Sequence, residues 1–150
     1  MKNISKIFAA VALGTAMLTS GPAVAGPIER SCQLLAAIGS NNAAAIESSL
    51  KDATRHWPDA NRSDLINRLK ELVGALKFVG GTVYRTAKLG DDIEEHLLVL
   101  RLAKGEVAGM RIRYEWGPTG MLLITINFDR KYHNYVKEPF LQTPVKIGCP

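Results

Sequence analysis

The sequence predicts an α+β fold in which N-terminal helices pack on a curved antiparallel sheet of about four strands. Three observations predict it. Apolar residues recur every three to four positions from Ile28 to Val79, the spacing of one helix face. The period then changes to two, and alternation dominates from Thr82 to Asp129, giving each strand one buried and one wetter face. Helices first and strands afterwards is an α+β order, not the alternation that builds a parallel sheet.

Residues Met1 to Ala25 stand apart from this pattern. Lys2 and Lys6 form a basic start, Ile7 to Leu18 a short apolar run, and Ala23-Val24-Ala25 a small-x-small cleavage site, the layout of a secretory signal peptide. The apolar run is shorter than the about 20 residues a bilayer span needs. The expected mature chain is therefore residues 26–150, one domain, exported to the periplasm or secreted. Without Lys2 and Lys6, 17 basic residues face 14 acidic ones, a formal charge of +3 rather than +5. No run of five basic residues occurs, which argues against nucleic acid as a partner. Cys32 and Cys149 are the only cysteines. In an oxidising compartment an even count favours a disulfide, and this one would pin the C-terminal tail onto the first helix.

Ile28, Cys32, Leu35 and Ile38 mark the first helix, with Pro27 suited to its first turn. Gly39-Ser40-Asn41-Asn42 breaks it and offers caps for a second, whose stripe is Ala43, Ile46, Leu50, Ala53 and Trp57, ended by Pro58. A third helix, capped by Asp59 or Ser63, carries Leu65, Leu69, Leu72, Leu76 and Val79, and Gly80-Gly81 is its expected terminator. Strands follow at Thr82 to Lys88 and Ile93 to Ala103. Two more, within Glu106 to Asp129, are joined by Gly117-Pro118-Thr119-Gly120. In this last hairpin Met110, Ile112, Tyr114 and Trp116 share one parity with Leu122, Ile124, Ile126 and Phe128. Cross-strand partners share a face, so the loop should hold an odd number of residues, three or five, unless a bulge intervenes. The same parity sends Tyr114 and Trp116 inward and Arg111 and Arg113 outward. Arg130 to Pro150, with two prolines, reads as a wrapping tail.

Signatures of known chemistry are sparse. The chain has no GxSxG, P-loop, GxGxxG or HExxH pattern, and no histidine pair at metal-ligand spacing, so no cofactor or metal is expected. Asp91, Asp92, Glu94 and Glu95 read as a solvated hairpin turn. Trp57, Tyr84, His96, Tyr114 and Trp116 are the candidates for lining a ligand pocket between helices and sheet. Arg111 and Arg113 are the candidates for an anionic partner.

The helix ending at Gly80-Gly81, Tyr84, Leu89-Gly90, the strand with Met110, Ile112 and Tyr114, and Leu122 to Asp129 ending in Asn-Phe-Asp carry a resemblance. Over Leu72 to Val136 the chain resembles small exported bacterial proteins of the NTF2-like (cystatin-like α+β) superfamily. The resemblance implies a cone-shaped half-barrel with helices over its concave face, and homodimers that pair through the sheet. The superfamily holds isomerases, dehydratases and hydrolases as well as non-catalytic binding modules. Its enzymes use Asp or Tyr, sometimes with His or Arg, inside the cone. On the inner parity of the last two strands Tyr114 is the sole polar candidate, which lowers the enzyme reading. The expectation is a non-catalytic protein that engages a small apolar ligand or a protein partner. The alternatives are a cofactor-free isomerase or hydrolase using Tyr114 and His96, and an anion-binding module using Arg111 and Arg113.

Overall fold

The computed structural model describes residues 25–136 and 140–150, so the predicted signal segment up to residue 24 lies outside the described residues. Three helices, α1 (Pro27–Gly39), α2 (Ala43–Ala53) and α3 (Asp59–Ala75), precede four long strands, β1 (Phe78–Leu89), β2 (Ile93–Leu102), β3 (Val107–Gly117) and β4 (Gly120–Asp129). A short helix α4 (His133–Val136) and a short strand β5 (Val145–Ile147) follow. The sheet is open and antiparallel, in the order β4-β3-β2-β1-β5. The α+β class holds, and the strand count is five rather than four. The extra strand lies in the tail, where three residues between prolines carry too little alternation to be read from sequence.

The helices cover one face of the sheet. Asn42 caps α2 by accepting from the backbone N–H groups of Ala44 and Ala45 at 3.0 and 3.2 Å. Next to it, Asn41 turns its amide onto the sheet. Its Nδ2 donates to Phe78 O at 3.0 Å and its Oδ1 accepts from Phe78 N at 3.2 Å. One side chain thus serves as the missing neighbour at the start of β1. The core between the layers joins Ile38, Ile46 and Leu50 to Val83, Leu98, Leu100, Met110 and Ile112, all fully buried.

Two corrections concern glycines and loops. The third helix stops at Ala75, and Phe78 already belongs to β1, so Gly80-Gly81 does not terminate a helix. It sits at a β-bulge, where the register shifts between Phe78 and Gly80 and Gly80 has φ +135°. A Cβ on Gly81 would meet Val99 O at 2.6 Å and Leu35 Cδ1 at 2.8 Å, so glycine is what lets α1 settle against the sheet. Val79, expected on the apolar stripe, is 65% exposed as a result.

In the last hairpin Gly117 pairs with Gly120 across a two-residue loop, and the register shifts between Arg113 and Tyr114. The bulge restores the even parity of Met110–Phe128 and Ile112–Ile126 but reverses it towards the tip. Leu123, not Leu122, is therefore the buried residue opposite Tyr114. Trp116 keeps the inner parity yet is 64% exposed, at the rim of a cleft that it shares with Pro27, the first residue of α1.

The tail crosses the outer face. Tyr135 hydroxyl donates to Asn127 O at 2.9 Å, and a Cβ on Gly109 would strike the Tyr135 ring at 2.4 Å. Gln142 bridges both backbone groups of Lys88 at 2.9 Å, and β5 pairs with β1. Cys149 then bonds to Cys32 on α1, across 117 residues of sequence. In the chain-entropy account a loop this long is worth up to about 5 kcal/mol. The bridge is compatible with an extracytoplasmic location.

Candidate functional site

Ser31 on α1, Glu94 and His96 on β2, and Tyr114 on β3 meet inside the molecule. Glu94 and His96 are two apart on a strand, hence on one face, and register pairs Glu94 with Tyr114 and His96 with Ile112. Ser31 lies three residues after Ile28 and four before Leu35, which turns it to the sheet side of its helix. Ser31 Oγ is 2.7 Å from His96 Nδ1 and 2.9 Å from Tyr114 Oη, and His96 Nε2 is 2.8 Å from Glu94 Oε1. The His96 and Tyr114 rings meet edge to face, with centroids 5.5 Å apart. Ser31 and His96 are wholly buried, and Tyr114 and Glu94 nearly so.

Hydrogen-bond chemistry assigns the protons. A carboxylate only accepts, so His96 Nε2 carries the proton it donates to Glu94. Neutral His96 then accepts at Nδ1 from the Ser31 hydroxyl, whose oxygen accepts from the Tyr114 hydroxyl. Every polar hydrogen has one partner in this direction. A proton on Nδ1 would force Ser31 to accept from the ring and donate to Tyr114, leaving the Tyr114 hydrogen nowhere to go. The pKa directions agree. Burial lowers that of His96 against the opposing pull of Glu94, and burial pushes that of Tyr114 up to about 12.

Ser, His and Glu in hydrogen-bond sequence is the composition of an acyl-transfer triad. In this arrangement the serine hydroxyl is closed to a substrate. A nucleophile needs a substrate carbon beside it, and Ser31 Oγ is fully enclosed, already holding Tyr114 and His96. Cys32, the next residue, is fixed by the disulfide, which ties down this turn of α1. The relay meets the surface only at Glu94. Its Oε1 is taken by His96, while its Oε2 accepts from none of the described residues and is not sealed. Glu94 lines a cleft of about 490 Å³ with Pro27, Asp92, Ile93, Trp116 and Met121. This corrects the reading of Glu94 as a solvated turn residue, since its side chain is 9% exposed. Asp91 and Asp92 do remain exposed.

The cleft has fixed walls. Arg30, buried beside Ser31, donates from Nη1 to Met121 O at 2.7 Å, and Trp57 Nε1 donates to Leu123 O at 2.8 Å. Both carbonyls belong to β4, an edge strand, so two side chains from the helical layer satisfy it. Trp116 N donates to Asp92 O at 2.7 Å, locking the hairpin tip to the β1–β2 turn. A second apolar groove, of about 290 Å³, runs between α3 and the β3–β4 pair, lined by Leu65, Leu69, Leu72, Met110, Ile126 and Phe128.

Of the five ligand candidates, His96 and Tyr114 come together in the relay. Trp116 stands at the mouth of the neighbouring cleft, Trp57 serves β4, and Tyr84 shares the opposite sheet face with Leu97 and Arg111. Arg111 stacks on Tyr135 at 5.5 Å and Phe140 at 5.9 Å, with Nε 3.6 Å from Glu95, and Arg113 Nε lies 2.9 Å from Glu115. Ser31, Arg30 and Glu94 were not foreseen. Strand parity with His96 is the signal that finds Glu94, and helix spacing between Ile28 and Leu35 finds Ser31. Among the described residues no group of three or more acidic, His or Cys side chains could hold a metal, and no helix is long and apolar enough to cross a membrane.

Fold and site together define a class, a helix-covered open antiparallel sheet with a closed polar relay and a cleft at its one open end. Compared with known proteins, the chain matches no family model, no curated protein and no solved structure.

Two predictions follow from the relay. Ser31→Ala orphans the Tyr114 hydroxyl and His96 Nδ1 and should cost about 1–3 kcal/mol for each, read from urea unfolding. Adding Tyr114→Phe to Ser31→Ala should cost less than the two single losses combined, since the shared bond is then absent on both sides. The second concerns pH. The folded pKa of His96 lies below its ordinary value of 6.5, so the unfolded chain takes up the proton first. Stability is then full above about pH 6.5 and falls as pH drops below it. The urea midpoint should decline between pH 7 and 5.5, and the His96 ring resonances should not titrate at pH 6.5.

Proposed function

We propose that the chain is an exported, non-catalytic binding protein on an NTF2-like scaffold, and that its ligand surface is the cleft bounded by Glu94, Trp116 and Met121. The observation that carries this reading is the one-ended relay. Its would-be nucleophile is sealed, and its only solvent-facing member is a carboxylate set beside an exposed indole. Sites of this kind combine apolar walls with a few oriented polar groups. The α3–β4 groove lacks that feature, since Arg68 at its rim is already paired with Asp64 at 2.9 Å. The Cys32–Cys149 bridge and the signal-like first 25 residues support export.

The hydrolase or isomerase reading draws on the same four side chains. It requires α1 to lift from Tyr114 and His96, against the disulfide at Cys32. The arginine reading requires an anion to compete with Glu95 and Glu115 for Arg111 and Arg113.

Amide chemical-shift mapping with a mixed set of small fragments tests the proposal. Hits should cluster at Asp92 to Glu94, Trp116 and Met121, and Trp116→Ala should abolish them. Hits confined to the α3–β4 groove, or ester turnover lost in Ser31→Ala, would overturn it.

A further inference from the structure

Glu94 is a carboxylate with an unusual balance. It is more than nine-tenths buried, yet its one hydrogen-bond partner among the described residues is His96, and Lys88, its cross-strand neighbour on β1, turns its ammonium to Asp91 at 4.0 Å instead. Buried carboxylates are ordinarily compensated by a cation in contact. Here the proton count of the relay requires His96 to be neutral, because a protonated ring would strand the Tyr114 hydroxyl. The internal partner therefore supplies a hydrogen bond but no counter-charge. The other carboxylate oxygen, Oε2, accepts no hydrogen bond from the described residues, and Glu94 lines the cleft.

The rest of the cleft complements a positive group on an apolar body. Trp116 lies on the same side of β3 as Tyr114, with 64% of its surface exposed, an expensive position for the largest aromatic side chain unless something covers it. Indole faces attract cations more strongly than any other side-chain ring. Pro27 and Met121 supply apolar surface, and Asp91 and Asp92 stand at the rim with a single ammonium, Lys88, 4.0 Å from Asp91. Three carboxylates and one cation line the opening, and the buried Arg30 guanidinium lies behind it on Met121 O.

We propose that this cleft binds a small alkylated ammonium compound, its cationic head on the free oxygen of Glu94 and against the Trp116 ring, its apolar part on Met121 and Pro27. The relay then has a role beyond packing. Tyr114, Ser31 and His96 hold the Glu94 carboxylate in one rotamer while leaving it its full negative charge. Glu94 is the residue that touches the ligand, and the other three are positioning residues. This assignment rests on the reading of the cleft as the ligand site.

The test uses choline as the cation and 3,3-dimethylbutan-1-ol, the same shape without charge, as its control. Both are titrated into the disulfide-bonded mature chain while the Trp116 indole and the Glu94 and Met121 amides are followed by NMR. Choline should bind at least about fivefold more tightly than the alcohol, the weight of one cation–π contact, and high salt should weaken it. Glu94→Gln keeps an acceptor for His96 but removes the charge, and should abolish the preference. Trp116→Ala, at an exposed position that tolerates truncation, should weaken choline binding in a protein of unchanged stability. Equal binding of the two probes overturns the cation assignment and leaves the cleft reading standing. Choline binding unaffected by Glu94→Gln overturns the assigned contact. No shift from either probe, where fragments do bind the cleft, overturns the ammonium class. Silence of the cleft to every ligand overturns both readings.

Discussion

Four polar side chains buried between a helix and a sheet constrain everything around them. Each orphaned donor or acceptor in such a place costs about 1–3 kcal/mol, so the relay is favourable only when α1 sits where Ser31 reaches both His96 and Tyr114. Much of the remaining architecture serves that placement. Gly81 removes the Cβ that would hold α1 off the sheet. Arg30, the neighbour of Ser31, reaches across to β4, and Cys32, its other neighbour, is bonded to the end of the tail. Three consecutive residues of one helical turn thus bond to three strands of the sheet and to the end of the tail.

The same constraint separates two functions that the composition alone would confuse. Serine, histidine and a carboxylate in line suggest hydrolysis, but catalysis by such a set depends on an open nucleophile and donors aimed at a developing oxyanion. Here the hydroxyl is the interior end and the carboxylate is the exterior end. The proton order runs outward from Tyr114 to Glu94 and terminates in a negative charge at the surface. Glu94, held by His96, is the end of the relay that faces the cleft. The tail, meanwhile, takes the outer face out of competition by laying Tyr135 over Gly109 and Arg111.

Periodicity made the layers legible in the sequence, and the cysteine pair and the cap at Asn42 were legible too, whereas α3 begins after Pro58 without the side-chain cap expected of Asp59 or Ser63. What escaped has local physical causes. A β-bulge adds one residue and reverses parity, so Leu123 replaced Leu122 in the core and the loop shrank to two residues. Gly80-Gly81 obeys the helix-stop rule but sits at a bulge inside β1. Trp116 has the parity of a core residue but sits at the rim of a cleft, which only tertiary structure decides. Ser31 and Glu94 were hidden because small polar and acidic residues are usually solvated. The buried His96 gave the clue, since a histidine on an apolar strand face needs partners within reach, and the nearest are two residues back and on the helix overhead.

The direction of protons through the relay is the centre of this account, and the nitrogen shifts of the His96 ring report it directly. In the folded, disulfide-bonded protein at pH 7, heteronuclear NMR should find Nε2 protonated and Nδ1 bare, with a coupling across the hydrogen bond to Ser31. A ring protonated at both nitrogens, or one carrying its single proton on Nδ1, would contradict the neutral relay and with it the hydrogen bond that His96 donates to Glu94.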